Sequence, residues 1–258
     1  MKPIRVLQFN MQFGQVWDDD APDRAPIRLE ATIAEILRHD ADIINLQEVE
    51  QAGSEGMQVQ PPPNFERLRA ALPGYDSHFS YPNADPRELP FGIGLATFSK
   101  TPLSGRFRET LPSPALQFDF FGTTKTPTDR LLIGAKTTID GRDLTILNTH
   151  LLAFFMLNAT SGAHPSQRNQ VAERLRTAGR EGATVLSGDF NVRDHLGLAA
   201  QFASEGFTTA DGKEITWRRQ PYVLDHIFYN PPLRCVHREV VPTPASDHHV
   251  LLADFVWA

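Results

Sequence analysis

The residues of this sequence that could do chemistry stand at the ends of short apolar runs. The stretch LSGDFNVRD (186–194) begins within the apolar run TVLS (184–187). Gly188 follows this run and leads to Asp189 and Asn191. Asp and Asn both favour tight turns, so this stretch alone fits a turn as well as a reaction centre. Several carboxylates at buried strand ends are costly, however, unless they are paired or bound to a metal. The other polar residues at such ends are Asn10 in QFN, Glu48 in LQEVE, His150 in ILNTH, Asp225 in YVLDHIFYN, and Asp247 and His248 in PASDHHVLLADF.

The order of these motifs along the chain is more specific than any one of them. The set N…QE…TH…GDFN…D…SDH, from Asn10 to His248, resembles the endonuclease/exonuclease/phosphatase superfamily of deoxyribonuclease I-like, metal-dependent phosphoesterases. The resemblance covers almost the whole chain. It implies an α/β (α+β) fold, a four-layered α/β/β/α sandwich in which two packed, mostly antiparallel sheets are flanked by helices. The active site would lie at one edge, where the loops gather.

Phosphodiester hydrolysis explains why these residue types occur together. The diester is anionic, so its cleavage needs a positive centre, a group that activates water, and donors for the developing charge. Glu48 offers a hard carboxylate suited to Mg²⁺ or Mn²⁺ and is the candidate for the main metal ligand. The resemblance adds Asn10 as a ligand or neighbour of the metal, and Asp247 as a further ligand. Whether one or two ions act stays open.

The resemblance also implies roles for the remaining catalytic candidates. Asp189 would position or deprotonate the attacking water, and Asn191 and His150 would bind the non-bridging phosphate oxygens. His248 would contact the phosphate or exchange protons, while Asp225 accepts from its other ring nitrogen and fixes the tautomer. Two alternatives stand beside these roles: Asn10 as a turn residue and Asp225 as an ordinary strand-end acid.

Alternating strands, helices and hairpins must position these residues. Apolar runs predict strands at 4–11, 41–50, 75–80, 92–99, 103–111, 131–139, 143–150, 184–187, 223–229, 234–241 and 249–256. Helical spacing predicts helices at 26–39, 65–72, 166–180 and 194–205. Asp140–Gly141 is a strong hairpin signal, and residues 112–130 and 151–165 are predicted as long excursions. No repeat or linker divides the chain, which favours one domain over residues 1–258.

Composition limits the protein's class and partners. The chain has 258 residues, 41% hydrophobic and 22% charged, as is usual for a globular protein. A net charge of −6 lacks the basic excess of a nucleic-acid coat protein but permits a nuclease with a local basic rim. The single Cys235 cannot form an internal disulfide. With no targeting or membrane-spanning segment evident, a cytoplasmic protein without stable membrane insertion is expected, and no protein partner is inferred.

Substrate signals are weaker. His150 stands where nonspecific nucleases and sphingomyelinase-like relatives carry histidine. Abasic-site endonucleases usually have tyrosine there and an acidic residue in place of Gln12. Aromatic residues in the two excursions could stack on a base, grip a lipid chain or fold back as core: Phe118, Phe120, Phe121, Phe154 and Phe155, with Met156 beside them.

The sequence therefore predicts a divalent-metal-dependent phosphodiester hydrolase, with a nucleic acid or nucleotide-like substrate preferred. One alternative is an enzyme for small-molecule or lipid head-group phosphoesters, such as inositol phosphates or sphingomyelin. Inositol phosphates would call for a dense Lys/Arg cluster, which is not seen near the motifs. Another alternative is a non-catalytic binding module, against which the intact Glu48, Asp189 and His248 argue.

Overall fold

Two six-stranded sheets form the centre of the protein. The structure, a computed structural model, describes residues 2–87, 92–120, 122–210 and 212–258. The first sheet has the spatial order β15 (Leu233–Val241), β16 (Val250–Trp257), β1 (Ile4–Asn10), β2 (Ile43–Gln47), β6 (Leu95–Ser99) and β4 (Asp76–Ser80). The second has the order β13 (Thr208–Thr209), β14 (Asp225–Tyr229), β12 (Ala183–Asp189), β11 (Arg142–His150), β10 (Arg130–Ile139) and β7 (Ser104–Leu111).

Each sheet contains one parallel pair among otherwise antiparallel neighbours. The parallel pairs are β1 with β2 in the first sheet and β11 with β12 in the second. Two small ribbons lie outside the sheets: β3 (Glu50–Gln51) with β5 (Gly92–Ile93), and β8 (Phe118–Phe120) with β9 (Thr123–Lys125). The predicted mostly antiparallel sheets are thus confirmed, and the excursion at 112–130 contains a short ribbon of its own.

Helices cover the outer face of each sheet. The four helices are α1 (Leu29–Leu37), α2 (Pro63–Ala71), α3 (Ser166–Glu181) and α4 (His195–Ala203). Leu29 of α1 and Leu68 of α2 pack in one core cluster with Phe9 of β1. Leu175 of α3 packs with Leu186 of β12 in another cluster, which also contains α4 side chains. The predicted four-layered α/β/β/α sandwich is therefore confirmed, with each helix within a few residues of its predicted bounds.

The interface between the sheets changes character along the strands. Because strand side chains alternate between faces, every second residue points between the sheets. Far from the site edge these inner residues are apolar and share one buried cluster, which includes Val6, Ile43, Ile146, Val185 and Ile227. The next inner positions are buried amides and hydroxyls, and the last ones carry the predicted catalytic groups. The apolar core thus ends one layer below a polar edge.

Local turn chemistry follows the sequence signals. Asp140 and Gly141 join β10 to β11 with φ of 52° and 75°, the left-handed pair that a tight hairpin needs. Asp194 is the N-cap of α4, and its side chain accepts a hydrogen bond of 3.0 Å from the Gly197 backbone N–H. The LSGDFNVRD stretch therefore leads directly into a capped helix.

Gly188, just before Asp189, is required by the close approach of two strands. A methyl group there would lie 2.2 Å from the backbone oxygen of Thr149, its partner on β11. Gly188→Ala is therefore expected to push β11 and β12 apart and lower the free energy of unfolding by about 2 kcal/mol or more in urea denaturation. Gly74→Ala is the control, since its methyl group would meet nothing within 4 Å. Equal losses from both substitutions would contradict this packing explanation.

No helix within the described ranges combines the length and the apolar character that a membrane crossing requires.

Candidate active site

The ends of strands from both sheets form one polar site. β1 and β2 run parallel and end at the same edge, where β16 begins, and β11, β12 and β14 repeat this arrangement in the second sheet. His150, Asp189 and Asp225 are direct neighbours on three adjacent strands. The structure brings together all eight residues that the sequence singled out: Asn10, Glu48, His150, Asp189, Asn191, Asp225, Asp247 and His248.

Asn10 joins the two central carboxylates. Its Nδ2 donates to Glu48 Oε1 and to Asp189 Oδ2, both at 3.0 Å, while its Oδ1 accepts from the Gln12 backbone N–H. The amide nitrogen, not the oxygen, therefore faces the carboxylates. In this arrangement Asn10 is a neighbour of the candidate metal site, one of the two options that the sequence left open.

The environment of the two carboxylates favours a cation. Burial raises the pKa of Glu48 to about 7, and the negative charge of Asp247 adds to this rise. Burial also raises the pKa of Asp189 to about 7, reinforced by the charge of Asp225. A divalent ion between these oxygens would offset the cost of ionising both groups.

One group of ligand atoms fits such an ion. Single atoms of Glu48, His150 and Asp189 lie within 4.8 Å of one another. Glu48 is 20% exposed, which leaves access for an ion, and its backbone adopts a left-handed φ of 51°. A second group with the same spacing contains Asp189, Asp225 and His248, but a hydrogen bond already joins its last two members. The carboxylates of the first group are the donors that Mg²⁺ and Mn²⁺ prefer.

His248 and Asp225 form a buried pair. His248 Nδ1 lies 2.7 Å from Asp225 Oδ2, and His248 Nε2 lies 3.7 Å from Asp189 Oδ2. Burial opposes the positive charge of the ring, yet Asp225 and Asp189 together raise the pKa of His248 to about 10. The ring is therefore protonated at neutral pH, and its Nε2–H faces the carboxylates of the site.

Asp225→Asn is expected to lower the pKa of His248, because burial then acts against one acid fewer. Imidazole NMR signals followed against pH measure this directly. The pH dependence of stability provides a second readout. Because the pKa of His248 is higher in the folded than in the unfolded state, protonation of His248 stabilises the native state fully below pH 6.5. This stabilisation is lost as pH rises through about 10. In the variant the loss of stability should be smaller and should occur at lower pH than in the wild type. An unchanged His248 titration would contradict the assignment of Asp225 as its partner.

Asp247 is held by residues outside the predicted set. Its Oδ2 accepts from Arg219 Nε at 2.7 Å and from Trp217 Nε1 at 3.2 Å. Its Oδ1 lies 4.0 Å from His248 Nε2. One oxygen of Asp247 thus faces the site, while the other anchors the carboxylate to Arg219.

His150 and Asn191 contact each other. The Asn191 side-chain nitrogen lies 3.1 Å from His150 Nε2 and donates to the Leu151 carbonyl. Asn191 has a left-handed φ of 51°, and its backbone N–H donates to Asp189 Oδ1 at 3.0 Å. Burial, with the positive charges of Arg130 and His248, holds the pKa of His150 well below its usual range. Unlike His248, His150 is therefore neutral at physiological pH.

A buried amide layer supports the site from below and lies outside the predicted set of catalytic residues. Asn148 Nδ2 on β11 donates to the carbonyls of Leu46 and Ala96 in the other sheet. Gln8 Nε2 on β1 donates to Asp225 Oδ1 at 3.3 Å. The same layer contains Asn45, Gln47 and Ser187, whose bonds also cross between the sheets, and Thr97, which donates to Asn45 within the first sheet. The signal was present in the sequence as the polar residues Gln8, Asn148 and Ser187, which stand two positions before Asn10, His150 and Asp189.

Arg130 is a further residue near the site that the sequence did not single out. It begins β10, next to the pair of Leu131 with His150. Its positive charge lowers the pKa of both Glu48 and His150, so it lies close to the anionic centre. An arginine here can contribute to holding a phosphate.

The aromatic residues of the two excursions differ in their burial. Phe154 is buried and stacks on His164, whereas Phe155 is partly exposed and contacts Trp217 and Tyr222. Met156 is 64% exposed. Phe118 and Phe120 lie on the β8–β9 ribbon and are partly exposed, and Phe121 lies outside the described residues.

Comparisons with known proteins identify the family and support the fold. A family model described as "Endonuclease/Exonuclease/phosphatase family" matches residues 7–248. UPF0294 protein plu0699 of Photorhabdus laumondii is 30% identical over 142 residues, 51% of each chain, so the chain spans about half the length of this curated relative. An endonuclease/exonuclease/phosphatase structure from Bacteroides vulgatus superposes with a TM-score of 0.73 at 20% identity, covering 100% of both chains. One from Beutenbergia cavernae gives a TM-score of 0.72 at 20% identity, covering 100% of this chain and 72% of the other.

Proposed function

This chain belongs to the endonuclease/exonuclease/phosphatase family, whose members are phosphoester hydrolases, and from that premise we propose that it hydrolyses phosphodiesters with Mg²⁺ or Mn²⁺. The observation that carries the proposal is the linkage of Glu48, Asn10 and Asp189 beside the His248–Asp225 pair. This arrangement supplies a cation site, a carboxylate to activate water and a charged donor within one small volume.

Glu48 is the residue that would hold the ion, with Asp189 beside it and Asp247 facing the same space. When bound, the ion neutralises the charge that develops on the phosphate. Asn10 holds the carboxylates of Glu48 and Asp189 beside each other, because its Nδ2 donates a hydrogen bond to each. The buried amide layer below them limits their movement, because each amide is bonded to the opposite sheet.

Asp189 is the group that takes a proton from the attacking water. Its pKa of about 7 suits a general base that works near neutral pH. Its Oδ1 is fixed by the Asn191 backbone N–H, so its Oδ2 is the oxygen that faces His150, His248 and Asn10. This geometry explains why an Asp and an Asn follow the glycine of LSGDFNVRD.

His248 is the charged donor to the phosphate. The imidazolium is kept protonated by Asp225, so Nε2–H can bind a non-bridging oxygen or return a proton to a leaving group. Neutral His150 and the Asn191 amide complete the phosphate contacts, and the charge of Arg130 acts on both Glu48 and His150. The intact acid–imidazole pair is the feature that argues against a non-catalytic binding module.

A substrate panel with and without EDTA tests the proposal. Bis-p-nitrophenyl phosphate, plasmid DNA, RNA, sphingomyelin and inositol phosphates cover the classes that the sequence left open. We expect hydrolysis of bis-p-nitrophenyl phosphate and of nucleic acid in Mg²⁺ or Mn²⁺, lost in EDTA and restored by added metal. Cleavage of monoesters alone would favour the phosphatase alternative. No cleavage of any substrate in either metal would refute the proposed function.

A further inference from the structure

Beside His248 lies a cluster of three partly exposed aromatic rings, Phe155, Trp217 and Tyr222. The Phe155 ring centroid lies 5.6 Å from those of both Trp217 and Tyr222, and the latter two stack at 6.0 Å with an interplanar angle of 27°. The Trp217 ring is 6.3 Å from the ring of His248. The cluster therefore adjoins the position at which the proposed function places a phosphate.

The chain ties each ring to a candidate catalytic residue. Trp217 forms antiparallel bridges with Tyr222 and with His248, and its Nε1 donates to Asp247. Tyr222 precedes Asp225 by three residues, and Phe155 follows His150 by five. The three rings are thus fixed in position relative to the residues that would bind the phosphate.

A cation, the guanidinium of Arg193, lies against one ring of the cluster. Arg193, two residues after Asn191, is exposed, and its Cζ lies 4.8 Å from the centroid of the Tyr222 ring. Within the described ranges Arg193 makes no ion pair, so its charge is available to a ligand. Flat rings, one of them with an arginine over it, suit a planar π-system, and partly exposed aromatic rings next to a phosphate site can stack nucleobases. An alkyl chain would gain nothing from the arginine.

We infer that Phe155, Trp217, Tyr222 and Arg193 form a stacking subsite for a nucleobase attached to the phosphate in the active site. The inference rests on the proposed function for the position of the phosphate, and it narrows the substrate to a nucleotide or nucleic acid. Trp217 also positions Asp247, so Phe155, Tyr222 and Arg193 are the residues that a test can change without moving a candidate metal ligand.

Equilibrium binding tests the subsite without depending on turnover. Isothermal titration calorimetry in the presence of Mg²⁺ would compare adenosine 5′-monophosphate with ribose 5-phosphate, which keeps the sugar and phosphate but lacks the base, and with octyl phosphate. We expect the Kd of the wild type to be at least about tenfold lower for the nucleotide than for either other ligand. Phe155→Ala and Tyr222→Ala should each remove most of this preference, whereas Tyr222→Phe should keep it.

The arginines provide a matched control. Arg142 is exposed and lies over the Trp257 ring at 5.4 Å, far from the site at the opposite end of β16. Arg193→Gln should raise the Kd of the nucleotide several-fold, and Arg142→Gln should leave it unchanged. Equal Kd values for the nucleotide and ribose 5-phosphate, or tighter binding of octyl phosphate, would overturn the inference. Base-dependent binding without hydrolysis of any phosphodiester would support the subsite while refuting the proposed function.

Discussion

Replacement of Asp189 by Asn is expected to lower kcat for phosphodiester hydrolysis by about 10³-fold, within the range that a positioned general base contributes. Asn has nearly the same shape but cannot accept a proton from water at neutral pH. Its side-chain oxygen can still accept from the Asn191 backbone N–H, as Asp189 Oδ1 does at 3.0 Å. The loss should therefore lie in kcat more than in folding.

Steady-state kinetics on bis-p-nitrophenyl phosphate would measure this loss, and urea denaturation would show that the variant is folded. Asp143→Asn is the matched control, because Asp143 lies on β11, at the opposite end from the site, and is exposed. It should leave kcat within about twofold. If Asp189→Asn kept more than a tenth of the activity, Asp189 would not be the group that activates water.

Glu48→Gln is also expected to lower the activity strongly, but through weaker metal binding. The Gln oxygen can still accept from Asn10 Nδ2, which donates to Glu48 at 3.0 Å, so the local structure should persist. The negative charge that attracts the ion is lost, however. We expect activity at low metal concentration to fall by about 10²-fold or more, as when a ligand of a catalytic metal is removed.

Metal titration separates the two residues. For Glu48→Gln, raising the Mn²⁺ concentration should restore a large part of the activity by mass action, and calorimetry should show a raised Kd for the metal. For Asp189→Asn, added metal should restore little, because the missing group acts on water. Glu55→Gln is the control: Glu55 is an exposed Glu with a similar left-handed φ of 59°. Full rescue of Asp189→Asn by metal would instead make Asp189 a ligand.

The sequence by itself determined the alternation of the strands and the residue types at their ends. A two-residue period is a local property, so runs such as IRVLQFN and ATVLSGD show which side chains share a face before any contact is known. The hairpin at Asp140–Gly141 and the helix after Asp194 are local in the same sense. The family and its four layers followed from the order of the motifs, and both are confirmed.

The tertiary structure alone decided which end groups meet and which protons they hold. Asp247 is adjacent to His248 in sequence, yet the ring nitrogen contacts Asp225 at 2.7 Å, while Asp247 turns to Arg219. The packing of two sheets created the amide layer, the approach of Arg130 and the ring cluster around Trp217. The raised pKa values of Glu48 and Asp189 have the same origin, because burial and neighbouring charge depend on contacts between strands that are distant in sequence.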